Sequence, residues 1–191
     1  MQVVPRIAFA LISCLVVSAA VAQPAEPKRK TLAAAADPLT GAVLIGRVTT
    51  GKMVFQLEIE ASESMWMQMG NPPVWGPHAP APDERYHVEF KLTDPASKTR
   101  IPYAGVTFAA TNRDNGKTLS LQLPPMWGSS GLHYSANSAL AGDGVYDATV
   151  TVGVPTFARE LKDKGLWASP TSARFHFRMR DGKIIEVSVP R

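Results

Sequence analysis

Lys52-Met53-Val54-Phe55-Gln56-Leu57-Glu58-Ile59-Glu60-Ala61 alternates apolar and polar side chains over most of its length. A period of two belongs to a strand with one face in a core and the other turned outward. Phe55, Leu57 and Ile59 therefore share the buried face, and Gln56, Glu58 and Glu60 share the other. Similar short runs, alternating or rich in β-branched residues, occupy 42–49, 85–92, 104–111, 117–123, 145–153, 172–180 and 183–189. The connections agree, since Asp114-Asn115-Gly116 and Asp181-Gly182 supply the positive φ values that tight hairpins need. Short strands at regular spacing with few helical windows predict an all-β sandwich. Only 156–164 reads as helical, a turn or two ending at Gly165. Gly70-Asn71-Pro72-Pro73 opens a proline-rich stretch, 70–84, that reads as a long loop because proline disrupts regular pairing in a sheet.

Ahead of the strands lie two segments of different character. Residues 1–22 carry one positive charge, Arg6, then an apolar run from Ile7 that closes on Ala20 and Ala22, the layout of a secretory signal peptide. The run is shorter than the roughly 20 residues of a membrane-spanning helix. Leu11-Ile12-Ser13-Cys14 offers a rival, lipoprotein-type reading, but the apolar run continues past Cys14 and favours cleavage after Ala22. Such cleavage removes the only cysteine, so the sandwich must rest on its core without disulfides. Residues 23–40 are rich in Pro, Ala and Lys, lack periodicity and read as a flexible tether to a domain over 41–191. The expected compartment is the periplasm. A net charge of +4 is too slight to point to nucleic acid.

The segment with most chemistry is Leu123-Pro124-Pro125-Met126-Trp127-Gly128-Ser129-Ser130-Gly131-Leu132-His133-Tyr134-Ser135-Ala136-Asn137. A thioether and an imidazole stand seven residues apart across a Gly and Ser rich bend that can fold back and bring both onto one centre. Sulfur with nitrogen suits copper, whereas imidazole alone suits several metals. No nucleophile elbow, phosphate-cradling glycine loop or His-Glu-x-x-His motif accompanies it, so the expectation is binding rather than catalysis, with no organic cofactor.

Pro-Pro-Met, then His-Tyr seven residues on, then Ala-Asn resembles the signature of the periplasmic iron-transport proteins that accompany ferrous-iron permeases. Gln56-Leu57-Glu58 stands where that family has His-Leu-Glu, and Val154-Pro155-Thr156-Phe157-Ala158-Arg159-Glu160 resembles a segment that ends in Arg-His. The resemblance implies an immunoglobulin-like β-sandwich, a homodimer, and a metal site drawn from three stretches. Carried over, the ligand positions are Glu58, Met126 and His133, with Gln56 and Glu160 where the family has histidine. Two imidazoles fewer and one carboxylate more make the site harder, favouring iron or manganese over copper. Glu58 and Glu160 facing one cavity would repel, a conflict relieved by a cation, or by Arg159 or Arg47 as an ion pair. The implied partner is an inner-membrane iron permease, and the implied cargo is iron, with copper as co-occupant.

Two other readings compete. Met65, Met67 and Met69 alternate on one strand face and can hold Cu(I) through thioethers, which would make this a copper-trafficking protein; the plainer reading is adaptable packing. A structural or interaction sandwich that has lost its metal is the other. Glu60 reads as a solvent-facing residue, His78 and His87 as structural or solvated, and His176 as a surface histidine.

Overall fold

A computed structural model describes residues 26–189. In chain order the strands are β1 Arg29–Ala36, β2 Val43–Thr50, β3 Met53–Ala61, β4 Met65–Met69, β5 Val74–His78, β6 Tyr86–Thr93, β7 Val106–Asn112, β8 Thr118–Leu123, β9 Pro125–Gly128, β10 Gly131–Ser138, β11 Gly144–Val152, β12 Thr171–Arg180 and β13 Lys183–Ser188. One antiparallel sheet runs β1-β13-β12-β11-β7-β8 and the other β2-β3-β6-β10-β9, while β4 and β5 form a separate hairpin. This is the expected all-β, immunoglobulin-like sandwich. Among the described residues no helix is long and apolar enough to cross a membrane.

The alternation in β3 works as read: Phe55, Leu57 and Ile59 are fully buried, and Gln56, Glu58 and Glu60 lie on the opposite face. One core joins that inner face and its neighbours Val88, Phe90 and Leu92 to Phe108, Val150, Phe175 and Phe177 of the other sheet. Phe55 meets Phe90 edge-on at 5.2 Å between ring centroids, and Tyr146 stacks on Phe177 at 4.4 Å. Buried tyrosines bring their hydroxyls to the backbone, as burial of a polar tip demands. Tyr134 donates to the Ile101 carbonyl at 2.8 Å and accepts from the Ala104 N–H at 3.1 Å.

At Gly46, beside a register shift in the β2–β3 ladder, the facing sheet crowds the backbone. A Cβ there would lie 2.9 Å from the Ser188 Cβ and 3.0 Å from Phe175 Cδ1. Only glycine leaves room for that contact without moving the facing sheet.

Several expectations change. Residues 29–36, read as part of the tether, pair with β13 as β1. Their small and basic side chains are mostly exposed, so the strand is held by backbone bonds and has no apolar period to read. Residues 74–78, read as loop, pair with β4, and Pro77 is accommodated because this two-stranded hairpin leaves free edges. The helix expected over 156–164 shrinks to one 3-10 turn, Leu161–Asp163, with no side-chain cap and nothing buried. That segment is anchored instead by Trp167, which meets Phe157 edge-on at 5.9 Å and donates its indole N–H to the Lys52 carbonyl at 3.0 Å. The proposed signal peptide and its lipoprotein alternative fall on residues outside those described.

Candidate metal centre

The outer face of the five-stranded sheet is lined with polar side chains that are unusually shielded from water. Register places Glu60 opposite His87 and His87 opposite Asn137; one rung along, Glu58 is opposite Glu89 and Glu89 opposite Ser135. The next rung pairs Gln56 with Lys91, and on the neighbouring strands Met126 with His133. The Gly and Ser rich bend is thus the turn of the β9–β10 hairpin, and it sets the thioether and the imidazole side by side. His87, Glu89, His133, Ser135 and Asn137 are all buried.

His133 is 2 % exposed. Its Nδ1 donates to the Gly131 carbonyl at 2.9 Å, which leaves Nε2 with a bare lone pair. That Nε2 has no hydrogen-bond partner and lies 3.8 Å from Glu89 Oε2. A buried imidazole oriented through one nitrogen and open at the other is the arrangement metal-binding histidines use. Gly128 makes room for the ring, since a Cβ there would sit 3.1 Å from His133 Cε1. Met126 Sδ accepts a hydrogen bond from the Ser135 hydroxyl at 3.3 Å.

Glu58 faces the same region, but its partners differ from those expected. Gln56 donates its amide to Glu58 Oε1 at 2.6 Å and so orients that carboxylate. Neither Arg47 nor Arg159 neutralises Glu58; Lys91 does, pairing with Glu58 Oε2 and, at 2.8 Å, with Glu89 Oε1. Burial works against the Lys91 charge, but the two carboxylates outweigh it and hold the ammonium's pKa above its ordinary value. Burial likewise pushes Glu89 up, yet Lys91 and the Ser130 hydroxyl pull its pKa below the usual carboxylate range. Glu60 goes the other way: burial and the charge of Glu89 raise its pKa above the usual carboxylate range.

Glu160 is not among these side chains. It stands ahead of the 3-10 turn, 72 % exposed, and pairs with Lys162 at 2.9 Å. Anchoring of its segment through Trp167 to the β2–β3 turn keeps it apart from the cluster within a single chain. One histidine reading changes as well, that of His176, while His78 and His87 stay within the structural or solvated reading. His87 is fully buried within the cluster, while His78 is exposed on β5. His176 is fully buried on the other sheet, with Nδ1 3.3 Å from Asp147 and Nε2 2.6 Å from Glu186. Alternation alone had put His176 on the outer face correctly; its burial comes from acidic neighbours on adjacent strands.

The β4–β5 hairpin adds a cleft of about 450 Å³ bounded by Met65, Met67, Trp75, Met126, Trp127 and Ser135. Two of the three alternating methionines thus border the same space as Met126, whereas Met69 does not line it. Lys91 and Glu89 are the residues that sequence reasoning missed. Their signal was present in the alternation of His87, Glu89 and Lys91 against Val88, Phe90 and Leu92, but only pairing of β6 with β3 turns it into a site.

Comparison with known proteins agrees with the motif. A family model described as Fe2+ transport protein matches residues 96–178, which include Met126, His133 and Glu160 but not Gln56 or Glu58. UPF0423 proteins of Brucella abortus strain 2308 and Brucella suis biovar 1 strain 1330 are 30% identical over 114 residues, a match taking in 51% of this chain and 63% of each relative. The match therefore spans less than two thirds of the length of these relatives. Among solved structures, "as isolated" FetP of uropathogenic E. coli, expressed in the periplasm of E. coli, superposes with a TM-score of 0.57 at 22% identity, over 72% of this chain and 95% of that one. Copper-reconstituted P19 of Campylobacter jejuni superposes at 0.60 and 20% identity, over 72% of this chain and 96% of that one. A copper-bound variant of the same protein does so at 0.59 and 21%, over 73% and 98%. At these identities the structures establish a shared sandwich fold. The resemblance to the iron-transport family, first read from Pro124 to Asn137, is shown by the family match.

Proposed function

We propose that this chain is a periplasmic metal-binding protein of iron uptake, and that it acts by holding an ion rather than by catalysis. The observation that carries the reading is the buried, unpartnered Nε2 of His133, 3.8 Å from the Glu89 carboxylate, on a residue whose register partner is Met126. The donor set is one borderline imidazole, one soft thioether and hard carboxylates from Glu58 and Glu89, which suits iron and admits copper or manganese. Oxygen and thioether ligands release an ion more readily than a thiolate cage, as a carrier requires. Lys91 acts as an internal cation that neutralises Glu58 and Glu89 until a metal takes its place. Delivery to an inner-membrane iron permease, and a homodimer that brings the exposed Glu160 of one copy toward the site of another, complete the proposal.

The test is calorimetric titration with Mn(II), anaerobic Fe(II), Cu(II) and Cu(I), on the wild-type chain and on a His133→Ala, Met126→Ala double variant. Saturable binding that the double variant loses supports the reading. Equal binding by both chains, or none by either, favours a sandwich used for contacts with other proteins. Copper handling has its own support, because Met65 and Met67 border the cleft that Met126 lines. If copper is the cargo, Met65→Leu and Met67→Leu weaken Cu(I) binding and leave Fe(II) binding unchanged.

A further inference from the structure

His87 is fully buried, yet its Nε2 makes no hydrogen bond. Its Nδ1 lies 2.9 Å from Asn137 Oδ1, an oxygen that can only accept, so the ring proton sits on Nδ1 and Nε2 carries a lone pair. Asn137 is itself fixed at both ends of its amide. Its Nδ2 donates to the Glu63 carbonyl at 2.9 Å, and its Oδ1 also accepts from the Glu63 N–H at 3.3 Å. One side chain therefore sets the tautomer of His87 and also holds the backbone of Glu63, whose Oε1 lies 3.4 Å from His87 Nε2.

Glu60 completes the group. Ligand atoms of Glu60, Glu63 and His87 all lie within 4.8 Å of one another. Three features separate this from an ordinary acidic cluster. The imidazole is wholly buried and has no other use for its lone pair. Two carboxylates converge on it with no basic side chain paired to them among the described residues, since Lys91 is spent on Glu58 and Glu89. And Glu63, 45 % exposed, opens the group to solvent, which provides an entry path.

We propose that His87, Glu60 and Glu63 form a second cation site for a divalent metal such as Mn(II), Fe(II) or Zn(II), separate from the Met126 and His133 site. One imidazole and two carboxylates, without a thioether, are a harder donor set than the neighbouring site offers. The two sites adjoin: the His87 and His133 rings lie 6.5 Å apart between centroids, and Glu89, 3.8 Å from His133 Nε2, shares the sheet face of His87 and Glu60. The arrangement provides a harder resting place beside a softer one, along which an ion can move by exchanging ligands.

The experiment is titration of the full chain with Mn(II), a hard ion that disfavours thioether, following free Mn(II) by electron paramagnetic resonance. Wild type is compared with Glu63→Gln, His87→Gln and the His133→Ala, Met126→Ala double variant, with folding checked by circular dichroism. Glu63 is half exposed, so its variant keeps the test open if His87→Gln does not fold. The expected result is that Glu63→Gln and His87→Gln raise the Kd of one Mn(II) equivalent at least tenfold, while the His133→Ala, Met126→Ala double variant keeps that equivalent within about threefold of wild type, whatever it loses at the other site. An unchanged Kd in folded Glu63→Gln, loss of Mn(II) binding in the double variant alone, or no Mn(II) binding by wild type would each overturn it. Copper binding lost only in the double variant reports on the other site, so failure of one reading is distinguishable from failure of the other.

Discussion

Individual residues carry the strongest constraints. Gly128 is the clearest, because the His133 ring fills the space where its side chain would be. Gly128→Ala forces a buried ring to shift by a few tenths of an ångström, and metal affinity at His133 is expected to fall about tenfold with little change in thermal stability; calorimetry on the folded variant checks it. Lys91 makes a complementary case. With side chains only 12% and 13% exposed for Lys91 and Glu58, removing the ammonium leaves two shielded carboxylates without a counter-charge. Lys91→Met is expected to cost on the order of 3 kcal/mol in the presence of chelator, a fall in Tm of about 6 to 12 °C. Added divalent metal should restore more of that loss than it adds to wild type, since binding to the folded state alone is stabilising. A variant whose Tm is insensitive to metal would argue against an ion beside Glu58 and Glu89. Little of this was open to sequence reasoning, because Lys91 and Glu89 are ordinary charged residues until β6 is laid beside β3.

At the scale of elements, strands with a buried face declared themselves and strands held by their backbone did not. β3, β7 and β11 alternate because one face meets the core. β1 is mostly exposed, with Leu32 and Ala36 partly buried against the core, and β13 offers it a free edge to pair with. Its pairing has a direct readout: amides of Lys30 and Thr31 should exchange with solvent far more slowly than those of an unstructured tether, measured by hydrogen exchange. Exchange at free-chain rates would return residues 29–36 to a tether. β2 supplies a second test at Gly46, where an added methyl meets Ser188 and Phe175 of the facing sheet. Gly46→Ala is expected to cost about 1 to 3 kcal/mol by overpacking, read from denaturant unfolding.

For the whole molecule, charge on the two outer faces links stability to pH. Burial raises the Asp147 carboxyl, but hydrogen bonds from Arg113 and His176 outweigh this and hold it below its ordinary value of 3.8. A carboxyl that is more acidic in the folded than in the unfolded chain stabilises above the unfolded value, and that stability is lost as pH falls through the folded one. Asp147→Asn should therefore flatten the acid limb of a Tm profile below about pH 4, and an unchanged limb would remove Asp147 from the account. The sandwich, the inward faces of its central strands, and the pairing of Met126 with His133 across a hairpin follow from period and turn residues, which are local properties of the chain. Which outward residues become a site does not. Glu160 matched a ligand position and lies exposed in a segment anchored elsewhere, while His87 had no partner at ligand spacing and stands among Glu60, Glu63 and Asn137. Sequence order sets which face a side chain occupies; only sheet register and the segments laid over that face decide whether water or another polar group is its neighbour, because those contacts join residues far apart along the chain.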